Sequence, residues 1–144
     1  MFFIIQRKIN RSNGGEPYSM NQLSFFEDID EKEMRRLVVR ELKNYKALCV
    51  RMKNQEEQAQ AGSIVLFPKM KGDDKNHEIR FKQIERTLQN ALDKDQRQII
   101  ELKYLGNEKV KDSYVYNELM MRRDNFYENK KSAIRLIAMA LGII

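Results

Sequence analysis

Between Met121 and Arg135 the chain carries five basic side chains, Arg122, Arg123, Lys130, Lys131 and Arg135, against two acidic ones, Asp124 and Glu128. On a helix these residues occupy about four turns, and the chemistry open to such a set is recognition of a polyanion. An arginine can donate two parallel hydrogen bonds to a guanine edge, and a lysine can neutralise a phosphate. Arg122, Arg123, Asp124, Asn125, Tyr127, Glu128, Lys130 and Lys131 are therefore the candidate contacts to double-stranded DNA, with no residue assigned to catalysis, to a metal or to a cofactor.

Those side chains need a platform, and the sequence supplies three successive helical patterns. The first runs from Gln96 to Leu105, with Ile99, Ile100, Lys103 and Tyr104 at helical spacing and Gly106-Asn107 as its expected C-terminal cap. A short second helix is expected from Tyr114 to Met120, capped by Asp112-Ser113, and a tight turn follows over Met121 to Asp124. The third is expected from about Asp124 to Leu141, with Phe126, Ala133, Ile137 and Ala140 on one side. A helix-turn-helix needs apolar side chains at fixed offsets where its two helices cross. Val115, Leu119, Met121 and Phe126 provide that set, which turns the basic residues toward the front of the third helix, where a recognition helix meets base edges and phosphates.

The run "LDKDQRQIIELKYL" through "VKDSYVYNELMMRRDNFYENKKSAIRLIAMALG" resembles the fourth region of bacterial sigma factors, and more closely the ArpU-type regulators of Gram-positive phages and prophages. The match is carried by "LKYL", "VYNEL", "NFYENKKSAI" and "LIAMALGI", and the front segment "MNQLSFFEDIDEKEMRRLVVRELKNYK" is similar to the start of such proteins. It spans about Met20 to Leu141, with its specificity concentrated after Leu92. The resemblance implies an all-α fold, a sigma region-four-like helix-turn-helix bundle over 78–144 preceded by a long amphipathic helix. It also implies control of late genes such as lysis and packaging functions, in the cytoplasm of a bacterial host, with RNA polymerase as a further partner. Three positions depart from the sigma-like pattern: Met120 replaces a common turn glycine, Tyr116 a small residue, and Arg122 a capping serine. Asp124 is expected to take over the cap, and the glycine can be dispensed with if the turn avoids positive φ.

With 144 residues, 42% hydrophobic and 33% charged, the chain suits one moderate helical domain, or a small domain with a helical extension. The net charge is +6, and +4 of it lies after Glu78. Such an excess favours acidic partners without demanding nucleic acid. One cysteine, Cys49, cannot form an internal disulfide, and with a single histidine, His77, it cannot complete a four-ligand zinc site. Cys49 is expected to be a small buried hydrophobe or reduced thiol, and His77 part of a solvated loop. No apolar run approaches the ~20 residues of a membrane helix. Asn13-Gly14-Gly15-Glu16 ahead of Met20 is what read-through of a ribosome-binding sequence would encode, so Met20 is the expected initiator and residues 1–19 an expected disordered leader.

In the front half, 20–60, Met34, Leu37, Val38, Leu42, Tyr45, Leu48, Cys49 and Met52 recur in alternating steps of three and four along a helix from Asp30 to about Gln60. Asp28 or Asp30 can cap it, and Leu23, Phe25, Phe26 and Ile29 can fold back on it as a staple. Two burials fit this seam: packing within the chain, or a homodimer of paired helices that would match two DNA half-sites. Ala61-Gly62 breaks the pattern, Ser63 to Pro68 is expected as a short clip against the core, and 61–77 reads as a linker. A further helix is expected from Glu78 to Leu92, with Phe81, Ile84, Leu88 and Ala91 inward.

An enzyme finds little support. Gly14-Gly15 is no phosphate loop, Asp73-Asp74 and Asp93/Asp95 suit solvation and capping, and Met120-Met121 suits packing. Two non-enzymatic classes remain. One is a sequence-specific transcription regulator, too small to hold the other sigma regions and so unable to melt a promoter alone. The other is a protein-binding module, such as a phage packaging or assembly component or a polymerase-binding inhibitor, with Arg123, Tyr127 and Lys131 as its interface.

Overall fold

The structure, a computed structural model, describes residues 29–70, 72 and 74–144. The expected leader, Leu23, Phe25, Phe26 and Asp28 all fall outside those residues, as does Asp73. The chain divides into a unit ending at Glu31, of which only residues 29–31 are described, and a compact unit from Lys32 to Ile144. Among the described residues the fold is all-α: α1 (Glu31–Gln60), α2 (Asp74–Asn90), α3 (Lys94–Tyr104), α4 (Asp112–Glu118) and α5 (Arg123–Ala140).

The apolar seam of α1 is buried inside its own chain. Met34, Val38, Leu42 and Leu48 are buried, the middle pair completely, while Leu37, Tyr45, Cys49 and Met52 are half-buried. Tyr45 stacks on Phe81 of α2 at 5.6 Å between centroids, and Arg80 of α2 donates to Glu41 at 3.2 Å. Farther round the helix, the Lys46 ammonium donates to the Gly106 carbonyl at 2.6 Å. The seam therefore has partners within the chain. Gly62 at φ +95° closes α1, and the Ser63 N–H reaches the otherwise unpaired Gln58 carbonyl at 2.6 Å.

The segment 61–73 connects α1 to α2 within one compact unit. It does not supply the expected clip: Ile64, Val65, Leu66 and Phe67 are all exposed. Helix α2 starts four residues ahead of the expected Glu78, because Asp74 places a carboxylate in its first turn, where the helix dipole favours negative charge. That carboxylate also pairs with Arg51 at 2.5 Å and with Lys69. His77 consequently lies on a helix, exposed, and not in a loop.

Helix α3 opens on a reciprocal cap. The Gln96 N–H donates to the Asp93 carboxylate at 2.8 Å, and the Asp93 N–H donates to the Gln96 side-chain oxygen at 3.0 Å. This cap puts the start of α3 at Lys94, two residues before the expected Gln96. Arg97 then donates to the Leu88, Gln89 and Leu92 carbonyls, satisfying the end of α2. Its other end is Leu105, a right-handed cap, and Gly106 has no positive φ, so the expected glycine cap is absent.

Helix α5 packs chiefly on α3, and less on α4 and α2. It buries Phe126, Ala133, Ile134, Ile137 and Ala138. Ala140, expected inward, is exposed, because the stripe passes from Ile134 and Ala138 to the half-buried Leu141.

Candidate nucleic-acid interface

The crossing of α4 and α5 gathers the four apolar residues that the offsets require. Val115 and Phe126 are fully buried with Ile99 of α3, and Leu102, Val110, Tyr116, Leu119 and Met121 pack around them. The large Tyr116 is accommodated at the edge of this cluster. Its ring lies 5.5 Å from that of Phe126 and 6.5 Å from that of Tyr127.

The turn does not avoid the left-handed region. Met120 sits at φ +54°, with the Met121 N–H donating to the Tyr116 carbonyl at 2.8 Å and the Met120 N–H to Asn117 at 3.1 Å. This pattern closes α4 at Glu118, short of the expected Met120. The position that glycine commonly fills does take a positive φ here, and a methionine adopts it.

Asp112 is not the cap of α4. Lys111 occupies that position without a side-chain bond, while the Asp112 carboxylate turns inward between two lysines. Lys103 of α3 approaches it at 3.1 Å and Lys130 of α5 at 3.0 Å, and Lys103 also donates to the Val110 carbonyl at 2.7 Å. One carboxylate thus ties three helices together. Burial alone would raise the Asp112 pKa, but hydrogen bonds from Lys130 and Lys103 outweigh it and hold the carboxyl below its ordinary value.

Lys130 stands apart from the other candidates: its side chain is only 15% exposed, and it shares the single Asp112 carboxylate with Lys103. Asp124 does not cap α5 either: the helix begins at Arg123, so Asp124 lies in its first turn, and Arg122 stands at the cap without a side-chain bond. Its carboxylate still lies close to the positive end of the helix dipole.

The remaining candidates come together on the open end of α5. Arg122, Arg123, Asp124, Asn125, Tyr127, Glu128 and Lys131 are all exposed. Arg123 and Tyr127 lie one turn apart, and the guanidinium carbon sits 5.7 Å from the ring centroid. Tyr127 in turn meets Phe126 edge-on at 5.1 Å. Asn129 donates to both oxygens of Asn125, at 2.9 Å to the carbonyl and 3.0 Å to the side chain, which leaves the two Asn125 amide hydrogens uncommitted to these bonds. The surface combines oriented cationic donors, an aromatic edge and two acceptor carboxylates, the groups that can meet phosphates, guanine and cytosine.

Sequence reasoning missed the ion cluster around Asp112, because its three members lie far apart along the chain. Among the described residues no group of three or more His, Cys, Asp or Glu side chains is placed to hold a metal, and no helix is long and apolar enough to cross a membrane. No family model, curated protein or solved structure matches the chain.

Proposed function

We propose that the chain is a non-enzymatic, DNA-binding transcription regulator of the ArpU type, acting on late phage or prophage genes in the bacterial cytoplasm. The observation that carries this reading is the open end of α5. Arg122, Arg123, Tyr127 and Lys131 are exposed there on a helix locked by Phe126 and by the Asp112 cluster. A recognition helix needs this combination of outward donors and a fixed axis, since donors aimed before binding lose little entropy on contact. The family likeness adds the late-gene role and RNA polymerase as a second partner.

The test is retention of phage or host DNA fragments by the purified protein, followed by titration of a retained fragment between ~50 and ~200 mM salt. A regulator retains fragments from promoters of lysis or packaging genes, with affinity falling steeply as salt rises. Absence of any DNA binding at the lower salt would leave the same surface to a protein partner and overturn the proposal.

A further inference from the structure

We propose that the cleft between α1 and α2 binds a phosphate group, at a site separate from the open end of α5. Asn44 and Arg51 line the cleft from α1, and Asn76, His77 and Arg80 line it from α2, over a floor that includes the buried Leu48. It holds about 560 Å³, within the range of about 300–1,000 Å³ that small-molecule sites occupy. Each of those five polar side chains carries at least one N–H donor, and no carboxylate lines the cleft.

The charge around the cleft selects an anion. Arg51 shares the Asp74 carboxylate with Lys69, and Arg80 shares the Glu41 carboxylate with Arg40, at 3.2 and 3.8 Å. Four cations therefore stand against two carboxylates in these pairs, a net charge of +2. The pairs hold both lining arginines in place without neutralising the group. Arg51 and Arg80 each reach their carboxylate through a single terminal nitrogen, and the rest of each five-donor fork is uncommitted to these bonds. A carboxylate ligand would offer two oxygens to donors that converge from two helices, whereas a phosphate ester offers three and carries a charge of about −2. The phosphate matches the set more fully. The site stands whether or not α5 binds DNA.

Inorganic pyrophosphate titrated into the full chain at low salt, followed by amide NMR and calorimetry, tests the proposal. In wild type the Asn76, His77 and Arg80 amides are expected to shift together and saturate. Arg51→Gln and Arg80→Gln are each expected to raise the dissociation constant about fivefold or more with helical circular dichroism unchanged, while Lys94→Gln, at an exposed lysine outside the cleft, leaves it as in wild type. Wild-type shifts scattered over the surface without saturation overturn the proposal, as would binding indifferent to both cleft substitutions. A short DNA duplex titrated into the same variants separates two sources of the group. Weaker duplex binding by both cleft variants makes it a backbone phosphate, and a loss confined to pyrophosphate makes it part of a free phosphorylated ligand.

Discussion

Met120 carries a Cβ into the left-handed region, a conformation that costs an L-residue about 1–2 kcal/mol. Its side chain is 89% exposed, so little packing is lost when it is removed. Met120→Gly is therefore expected to stabilise the protein by about 1 kcal/mol, the greater freedom of glycine in the unfolded chain taking back part of the gain. A urea melt that shows no gain would place the strain elsewhere. Arg123 belongs to the proposed function: Arg123→Ala should cost ~1–3 kcal/mol of affinity at one operator position if the side chain grips a guanine. An operator bound equally by both proteins removes Arg123 from the contacts. At this scale the sequence was informative about exposure, as for Arg122, Arg123 and Lys131, which all face solvent. It did not show the ion pair of Lys130, whose partner Asp112 lies eighteen positions away and could not be read from local spacing.

Single helices were legible because their apolar residues repeat at three and four, as in Met34, Val38 and Leu42 or Ile134 and Ala138. Their ends were less so. Asp74, Asp93 and Asp112 are equally good caps on paper, yet only the Asp93 side chain is seen to cap, and the other two hold cations from neighbouring elements. Asp112 gives this difference a pH signature. Its folded-state pKa lies below the unfolded value of about 3.9, so the ionised cluster stabilises fully above that value and loses its contribution as pH falls through the folded-state value. Asp112→Asn should destabilise by about 2 kcal/mol at pH 7, leaving two lysines with a weaker acceptor, and should lose less stability than wild type on going to pH 3. Parallel stability curves for the two proteins between pH 7 and pH 3 would show that the cluster contributes nothing.

Over the whole molecule, one core residue joins the helix pair to α3. Phe126 is the largest fully buried side chain among the described residues, and Phe126→Ala is expected to cost ~3–5 kcal/mol, read as a lowered thermal midpoint. An unchanged midpoint would mean that the α4–α5 crossing packs in some other way. The all-α class followed from periodicity, but the fate of the α1 seam did not, since a period shows that a face is apolar and not what covers it. The structure answers with Phe81 and the far end of α3, which makes the long helix part of the unit that carries α5.

That anchorage is uneven along α1. From Lys53 to Gln60 no residue is buried, so roughly two turns, about 12 Å, lie outside the core before the chain reverses at Gly62. A protease that nicks the backbone between Lys53 and Met70 would therefore divide the covalent chain without dismantling the protein. The amino-terminal fragment stays clamped by Met34, Val38, Leu42 and Leu48, and the two pieces should elute together under native conditions and separate only in denaturant.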